Sequence, residues 1–548
     1  MSEFVTSITF ILAASSIMLL LLDRLKHPSI PAYILAGILI TNQIDQATTL
    51  EFAQLGIIFL VFIYGLKLEP ERLKTVARES LSTTVFTTFL IGVGSFLIGI
   101  ALGLDNINAA YFSLAATISS SLVGLELIEK DIQAGMLHGR LAESIHLTQD
   151  AIAILFILLT SAITSGEFIT SMTAGIAVLG TAILIREHVL EYAAEFVERS
   201  QELTMLISLA TLAGFIGITE IINLSTIIGS FAAGICLAKF PYNIESLDTI
   251  KPLKDFFSAV TFVSLGTLIV VPSLSTIVLS AILIVITLAL KPLLTAFYLI
   301  QTGYDQRTAY LTGFSLDQIS EFALIIGIQA FIVGTMVRPL FDSIVIAATL
   351  TMIISSYTNR HEEKVYRFLS KIFEIEDNKK RIEDRSRIGD VRDHIIVVGY
   401  GTQGKRIVET LEEEKEEFVL IENDPEKITE AKEHVDNYVF GDALDSKTWS
   451  IAEMKKADLI ISTVPSIKIS RKILALDTET DRILRTPEIK EAAELMNNGA
   501  YFVDVPDVIA ADQLVDHIHQ VKQDINYREE LRRRNLLELR KYLRTENQ

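Results

Sequence analysis

Gln149 and Asp150 stand in a run, Leu141 to Leu159, that is otherwise mostly apolar after Glu143. A carboxylate at bilayer depth costs about 2.5–3.5 kcal/mol on insertion scales, so such a residue marks ion or proton handling by default. The competing account is a structural aspartate that caps a broken helix or pairs with a buried cation. Three more charges share this setting. Asp317 and Glu321 lie within Thr312–Ala323, and Lys291 follows the apolar run Ile282–Leu290 and precedes Pro292. About ten residues, roughly 15 Å of helix, separate Lys291 from the loop at Gln301. That is a long way to snorkel, so a partner inside the bundle is expected, with Asp150 the candidate. A cation arriving at the carboxylate then competes with the ammonium and with protons.

Two apolar segments look interrupted where these groups sit. Ala115–Gly124 contains Thr117, Ser119, Ser120 and Ser121, and Thr312–Ala323 carries the two carboxylates. Polar stretches at membrane depth are tolerated where they line a cavity or are buried in protein. One such break in each half points to an inverted-repeat transporter with its site at the midplane. Gln149 and the Thr117–Ser121 break are then expected to supply oxygen ligands, and Glu321 and Asp317 to support the second break. Serine and threonine bonding back to their own helix is the plainer alternative.

The chain has 548 residues, half of them apolar, and a formal charge of −19, but these totals hide two halves. Thirteen helical spans are predicted, near 4–22, 30–46, 51–66, 81–103, 109–128, 141–162, 169–187, 203–222, 225–240, 255–271, 273–300, 308–331 and 339–357. Each is of a length that crosses a hydrocarbon core. Of 48 lysines and arginines, 16 precede Asn359 and 32 follow it. With the N-terminus outside, 14 of those 16 fall in cytoplasmic loops, Arg338 alone is external, and Lys291 is buried. That asymmetry orients the chain and places everything after residue 358 in the cytoplasm. The start, Met-Ser-Glu-Phe, lacks a basic n-region, so residues 4–22 read as a first span and not a cleaved signal. No basic stripe with interleaved aromatics suggests nucleic acid, and one cysteine, Cys236, excludes a disulfide framework within the chain. The only metal called for is the transported monovalent cation.

A charged linker is expected over 359–392, then a domain over 393–520 and a charged helix over 521–548. His394–Gly404 runs an apolar strand into Gly399-Tyr-Gly401-Thr402-Gln403-Gly404, and a helical stretch follows. This is the context that makes G-x-G-x-x-G a nucleotide fingerprint. The next strand ends at Glu422, 18 residues past Gly404, close to the spacing of an acid that accepts from ribose hydroxyls. The helix start faces the phosphates. Further strands fit Tyr438–Asp442 and Leu459–Thr463. Nothing after Thr463 offers a substrate domain or a catalytic His/Lys/Tyr set, so a regulatory sensor is expected and not an enzyme. A channel fits the C-terminal half, but no T-V-G-Y-G-like filter occurs.

The membrane half resembles the monovalent cation/proton antiporter-2 family, its Kef-type potassium/proton members in particular. Leu55–Glu69, Gln149-Asp150, Gly229–Gly234 and Ser320–Ala323 carry the likeness. The cytoplasmic half is similar to the RCK or KTN regulatory domains of potassium channels and transporters, from His394 to Pro465 and including Gly441-Asp442-Ala443. The resemblance implies a homodimer in a prokaryotic cell membrane, a core that moves as an elevator, and Asp150 as carrier of cation or proton. It implies nucleotide contacts at Gly399, Gly401, Thr402, Gln403, Gly404, Glu422, Asp442 and Ala443, with NAD(H), AMP and ATP all open. Gln-Asp leans toward potassium over sodium. At 320 this chain has Ser where Kef-type proteins often have Gly.

Overall fold

The computed structural model describes residues 3–24, 27–67, 78–164, 168–188, 201–238, 243–372, 385–523 and parts of 527–536. The expected C-terminal helix over 521–548 lies largely outside them. The chain divides near Glu374 into two compact units.

Each of the thirteen predicted segments overlaps a helix among the described residues, with ends that differ by several residues: Ser29–Leu39 against 30–46 and Asn243–Thr267 against 255–271. Among the described residues, eight helices are long and apolar enough to cross a membrane, and three shorter apolar ones are Ser29–Leu39, Thr226–Leu237 and Glu321–Val333. Both expected breaks are present. Helix Asn106–Thr117 stops, the chain extends, and helix Ser121–Leu127 starts with Ser120 as cap, its side chain accepting from the Val123 amide. Helix Gln306–Phe314 is likewise separated from Glu321–Val333, capped by Ser320, which accepts from Phe322 N. The segment read as one span over 273–300 carries a π-helical turn at Ile286–Leu290, just before Lys291. Pro292 lacks the amide that would bond back one turn, and a π-bulge absorbs the loss. Past residue 358 the expected linker begins as helix: Arg338–Arg360 is followed by Glu362–Ile372 in the same unit.

Two of the stretches that carried the resemblance meet each other. A Cβ on Gly65 would lie 2.5 Å from Phe231 O, and one on Gly234 would lie 2.2 Å from Phe62 O. Helices Gln46–Lys67 and Thr226–Leu237 therefore cross backbone to backbone, as small residues permit in membranes. Gly37 and Gly266 make a second such crossing, each Cβ position 2.1 Å from a carbonyl of the other helix. Gly234→Leu should force the first pair apart and lower stability by about 1–3 kcal/mol or more. Thermal unfolding of the purified variant checks this, and a wild-type midpoint would refute the crossing.

The second unit is a six-stranded parallel sheet in the order β3-β2-β1-β4-β5-β6. The strands are β1 His394–Val398, β2 Phe418–Glu422, β3 Tyr438–Phe440, β4 Ala457–Ser462, β5 Asp481–Arg485 and β6 Phe502–Asp504. Successive residues point to opposite faces. Ile396 and Val398 join Val419, Ile421 and Trp449 on one side, while Val397 joins Val408, Leu420 and Phe440 on the other. Both faces are covered by helices, as parallel sheets require.

Candidate functional site

The two breaks cross, and their unwound backbones satisfy each other. Ser320 N donates to Ile118 O at 3.1 Å. Ser119 Oγ donates to Leu316 O at 2.9 Å, and Gln318 Nε2 donates to Ser120 O at 3.1 Å. From one neighbouring helix, Gln149 Oε1 accepts from Ser119 N at 2.9 Å. From another, Thr351 Oγ1 accepts from Ile319 N and Ser355 Oγ donates to Gln318 Oε1. Buried backbone groups that lose helix partners must be paired elsewhere, and here the opposite break does most of that work.

Glu321 sits at the centre. Its Oε1 accepts from Tyr64 Oη at 3.0 Å, Ser121 Oγ at 3.3 Å and Leu122 N at 3.4 Å. Its Oε2 is buried and has no hydrogen-bond partner, and the same is true of Asp150 Oδ1. Asp150 keeps partial exposure. The charges acting on it are those of Glu321 and Lys67, and the Ser121 hydroxyl, which donates to Glu321, lies beside it. Two carboxylates, each with an unsatisfied oxygen, thus meet at the N-termini of two half-helices, where the backbone carries partial positive charge. When ionised, two carboxylates this close repel each other, and a positive charge between them offsets that repulsion.

The expected pairing of Lys291 with Asp150 is corrected. Lys291 is 1% exposed, its Nζ donates to Gln318 O at 3.2 Å, and the carboxylate whose charge it meets is Asp317. The π turn and the path of helix Gln306–Phe314 aim it at the second break instead. There its ammonium opposes the partial negative charge at the end of that half-helix. The hydroxyls divide in role as well. Thr117 bonds back to Ser113 O, Ser119 and Ser120 hold the crossing and the cap, and Ser121 alone of the four reaches the carboxylates.

Tyr64 was not singled out from the sequence, where it is one aromatic in an apolar helix. Lys67 reads from the sequence as a loop cation, although the i, i+3 spacing puts both on one helix face. Tyr64→Phe leaves Glu321 Oε1 with weaker partners and should cost about 1–3 kcal/mol. Ion exchange should slow with a raised KM for the cation, and an unchanged KM would show the hydroxyl to be incidental.

In the second unit the strand order reverses between β1 and β4, where open α/β sheets bind ligands. Gly399 follows β1 with φ +95°, and a Cβ on Gly404 would lie 2.0 Å from Gly399 O, so the helix Thr402–Glu414 packs against the turn only as glycine. Gly401 caps that helix without a side-chain bond, and a Cβ there would meet nothing within 4 Å. Glu422 is 6% exposed. It accepts from Tyr400 N at 2.7 Å and from Asn423 N and Asp424 N at 2.8 and 2.9 Å, which ties β2 to the glycine loop. Asp442 Oδ1 accepts from Leu444 N, and Ala443 O takes the Trp449 indole N–H. Gln403 is held by Arg485 and Asp504, from the ends of β5 and β6.

Fold and site together define a helical membrane exchanger followed by a parallel-sheet α/β domain. Residues 10–360 match the family model described as sodium/hydrogen exchanger, transmembrane, and residues 395–504 match the TrkA-N domain. The chain belongs to the sodium/hydrogen exchanger family. A relative named KefB, from Alkalimonas amylolytica, is 24% identical over 534 residues, covering 92% of this chain and 79% of its own length. The glutathione-regulated potassium-efflux system protein KefC of Escherichia coli O45:K1 is 25% identical over 470 residues, 80% of this chain and 72% of its own. Among solved structures, the sodium proton antiporter MjNhaP1 of Methanocaldococcus jannaschii is 15% identical with a TM-score of 0.49, covering 66% of this chain and 97% of its own.

Proposed function

We propose that this antiporter exchanges K+, in preference to Na+, for protons, and that an adenine nucleotide on the TrkA-N domain controls it. The observation that carries the reading is the pair of buried, unpartnered oxygens, Asp150 Oδ1 and Glu321 Oε2, at the crossing of two broken helices. A dehydrated monovalent cation needs several oxygens. The two carboxylates and the Ser121 hydroxyl lie together, and Gln149 braces the break beside them. With Lys67 already among the charges acting on Asp150, one further positive charge, cation or proton, brings the two carboxylates to neutrality, and a second exceeds it. Mutual exclusion of that kind is the basis of exchange. Asp150, being partly exposed, is the group that loads; Glu321, fully buried, is the fixed counter-charge. Lys291 and Asp317 hold the second break in shape. The potassium preference rests on the Gln149-Asp150 pair and on the potassium-efflux naming of KefC.

The cradle in the second unit suits a nucleotide. The uncapped start of helix Thr402–Glu414 offers amides to phosphate, and the space beside Gly401 allows close approach. Glu422 and Asp442 lie at the ends of the flanking strands. When bound, the nucleotide supplies negative charge and a rigid bridge between β1 and its neighbours, and no chemistry. A homodimer in a prokaryotic cell membrane, with the N-terminus outside, completes the reading.

The test is proton movement in proteoliposomes loaded with a pH dye, with K+ or Na+ added in turn and each nucleotide inside. Proton movement driven by K+ and weak with Na+ is expected. Equal response to Na+ removes the selectivity claim, and cation current without proton movement removes exchange itself.

A further inference from the structure

We infer that Asp131, His138 and Glu362 form a site for a divalent transition-metal ion of the zinc class, apart from the crossing of the broken helices. One ligand atom from each residue lies within 4.8 Å of the others. His138 is 3% exposed, and its Nε2 is buried without a hydrogen-bond partner. That nitrogen points at Asp131 Oδ2, 3.4 Å away. A tetrahedral ion with bonds of about 2.0–2.1 Å sets its ligand atoms about 3.3–3.4 Å apart, so the His138–Asp131 edge already fits, and the two edges to Glu362, each within 4.8 Å, close by a turn of that side chain. One imidazole and two carboxylates are a borderline donor set, which favours Zn2+ and its first-row neighbours over Mg2+ or Ca2+. Three protein ligands leave a position for water.

An imidazole facing a carboxylate is often only an ion pair. Here the facing nitrogen makes no hydrogen bond, and a third ligand comes from a distant part of the chain. His138 opens the helix Leu137–Thr164 that carries Asp150, and Glu362 opens the helix after Arg338–Arg360. Arg307 Nε donates to the adjoining Glu363 at 2.6 Å, which fixes that helix start in place. An ion bound there clips these two helices together.

The experiment uses the full-length purified protein, stripped with a chelator and titrated with Zn2+ by calorimetry and with Co2+ by visible absorption. Thermal unfolding is followed alongside. The wild type should bind one equivalent per chain, give the strong absorption of low-coordinate Co2+, and unfold at a higher temperature with Zn2+. His138→Gln and Glu362→Gln should each weaken binding at least tenfold while keeping the metal-free unfolding midpoint. Should His138→Gln fail to fold, Glu362→Gln decides alone. Absence of saturable binding by the wild type, or wild-type affinity in Glu362→Gln, overturns the proposal.

Discussion

Asp150→Asn is expected to abolish cation-driven proton movement, lowering it at least 100-fold, while the protein still folds. The substitution keeps shape and removes the charge for which cation and proton compete. Folding should survive, because Asp150 Oδ1 has no partner to lose. A charge at bilayer depth also costs about 2.5–3.5 kcal/mol on insertion scales, which the amide avoids. The thermal midpoint should therefore hold or rise as activity disappears. Glu321→Gln makes the informative contrast. Its carboxylate accepts from Tyr64, Ser121 and the Leu122 amide, so it should lose both transport and stability. Dye-loaded proteoliposomes and thermal unfolding, run on the same preparations, report both quantities. Near-normal exchange by Asp150→Asn would falsify the assignment of Asp150 as carrier.

The second large effect lies in the TrkA-N domain, where two glycines of one motif should fail differently. Gly404→Ala places a methyl 2.0 Å from Gly399 O. Either the helix Thr402–Glu414 shifts or the turn opens, costing about 1–3 kcal/mol and weakening nucleotide binding at least tenfold. Gly401→Ala meets no atom within 4 Å, and its φ of −80° suits any residue. That variant should keep wild-type stability yet lose nucleotide affinity, because the methyl enters the space the phosphates need. Calorimetric titration with AMP, ATP and NAD(H), beside unfolding curves, separates the two. Full affinity in Gly401→Ala would move the ligand away from this loop.

Much of the candidate site could be read from the chain because charge in an apolar run is conspicuous. Asp150, Glu321, Asp317 and Lys291 announced themselves this way, and the hydroxyl-rich break at Thr117–Ser121 followed from backbone groups that need partners in lipid. What stayed hidden was who faces whom. Lys291 turns to Asp317 because a π turn, set by Pro292, redirects it, and helical periodicity assumes no such turn. Tyr64 looks like any core aromatic until Glu321 is placed beside it. In the second unit, β1 to β4 are apolar runs, whereas β5 is Asp-Arg-Ile-Leu-Arg with only Leu484 fully buried. A strand near a sheet edge lacks the hydrophobic signature of a central one.

The bond from Ser320 N to Ile118 O joins main chain to main chain. Any residue other than proline at 320, and any residue at 118, can make it. Part of the crossing is thus written in geometry that substitution cannot easily erase, which leaves side chains around it free to drift over evolutionary time. Identities near 25% with relatives that match most of the chain are what such tolerance produces. On the proposed reading, selection then falls on the few atoms that would meet the ion, and substitutions at Gln149 or Ser121 would change selectivity without rebuilding the scaffold.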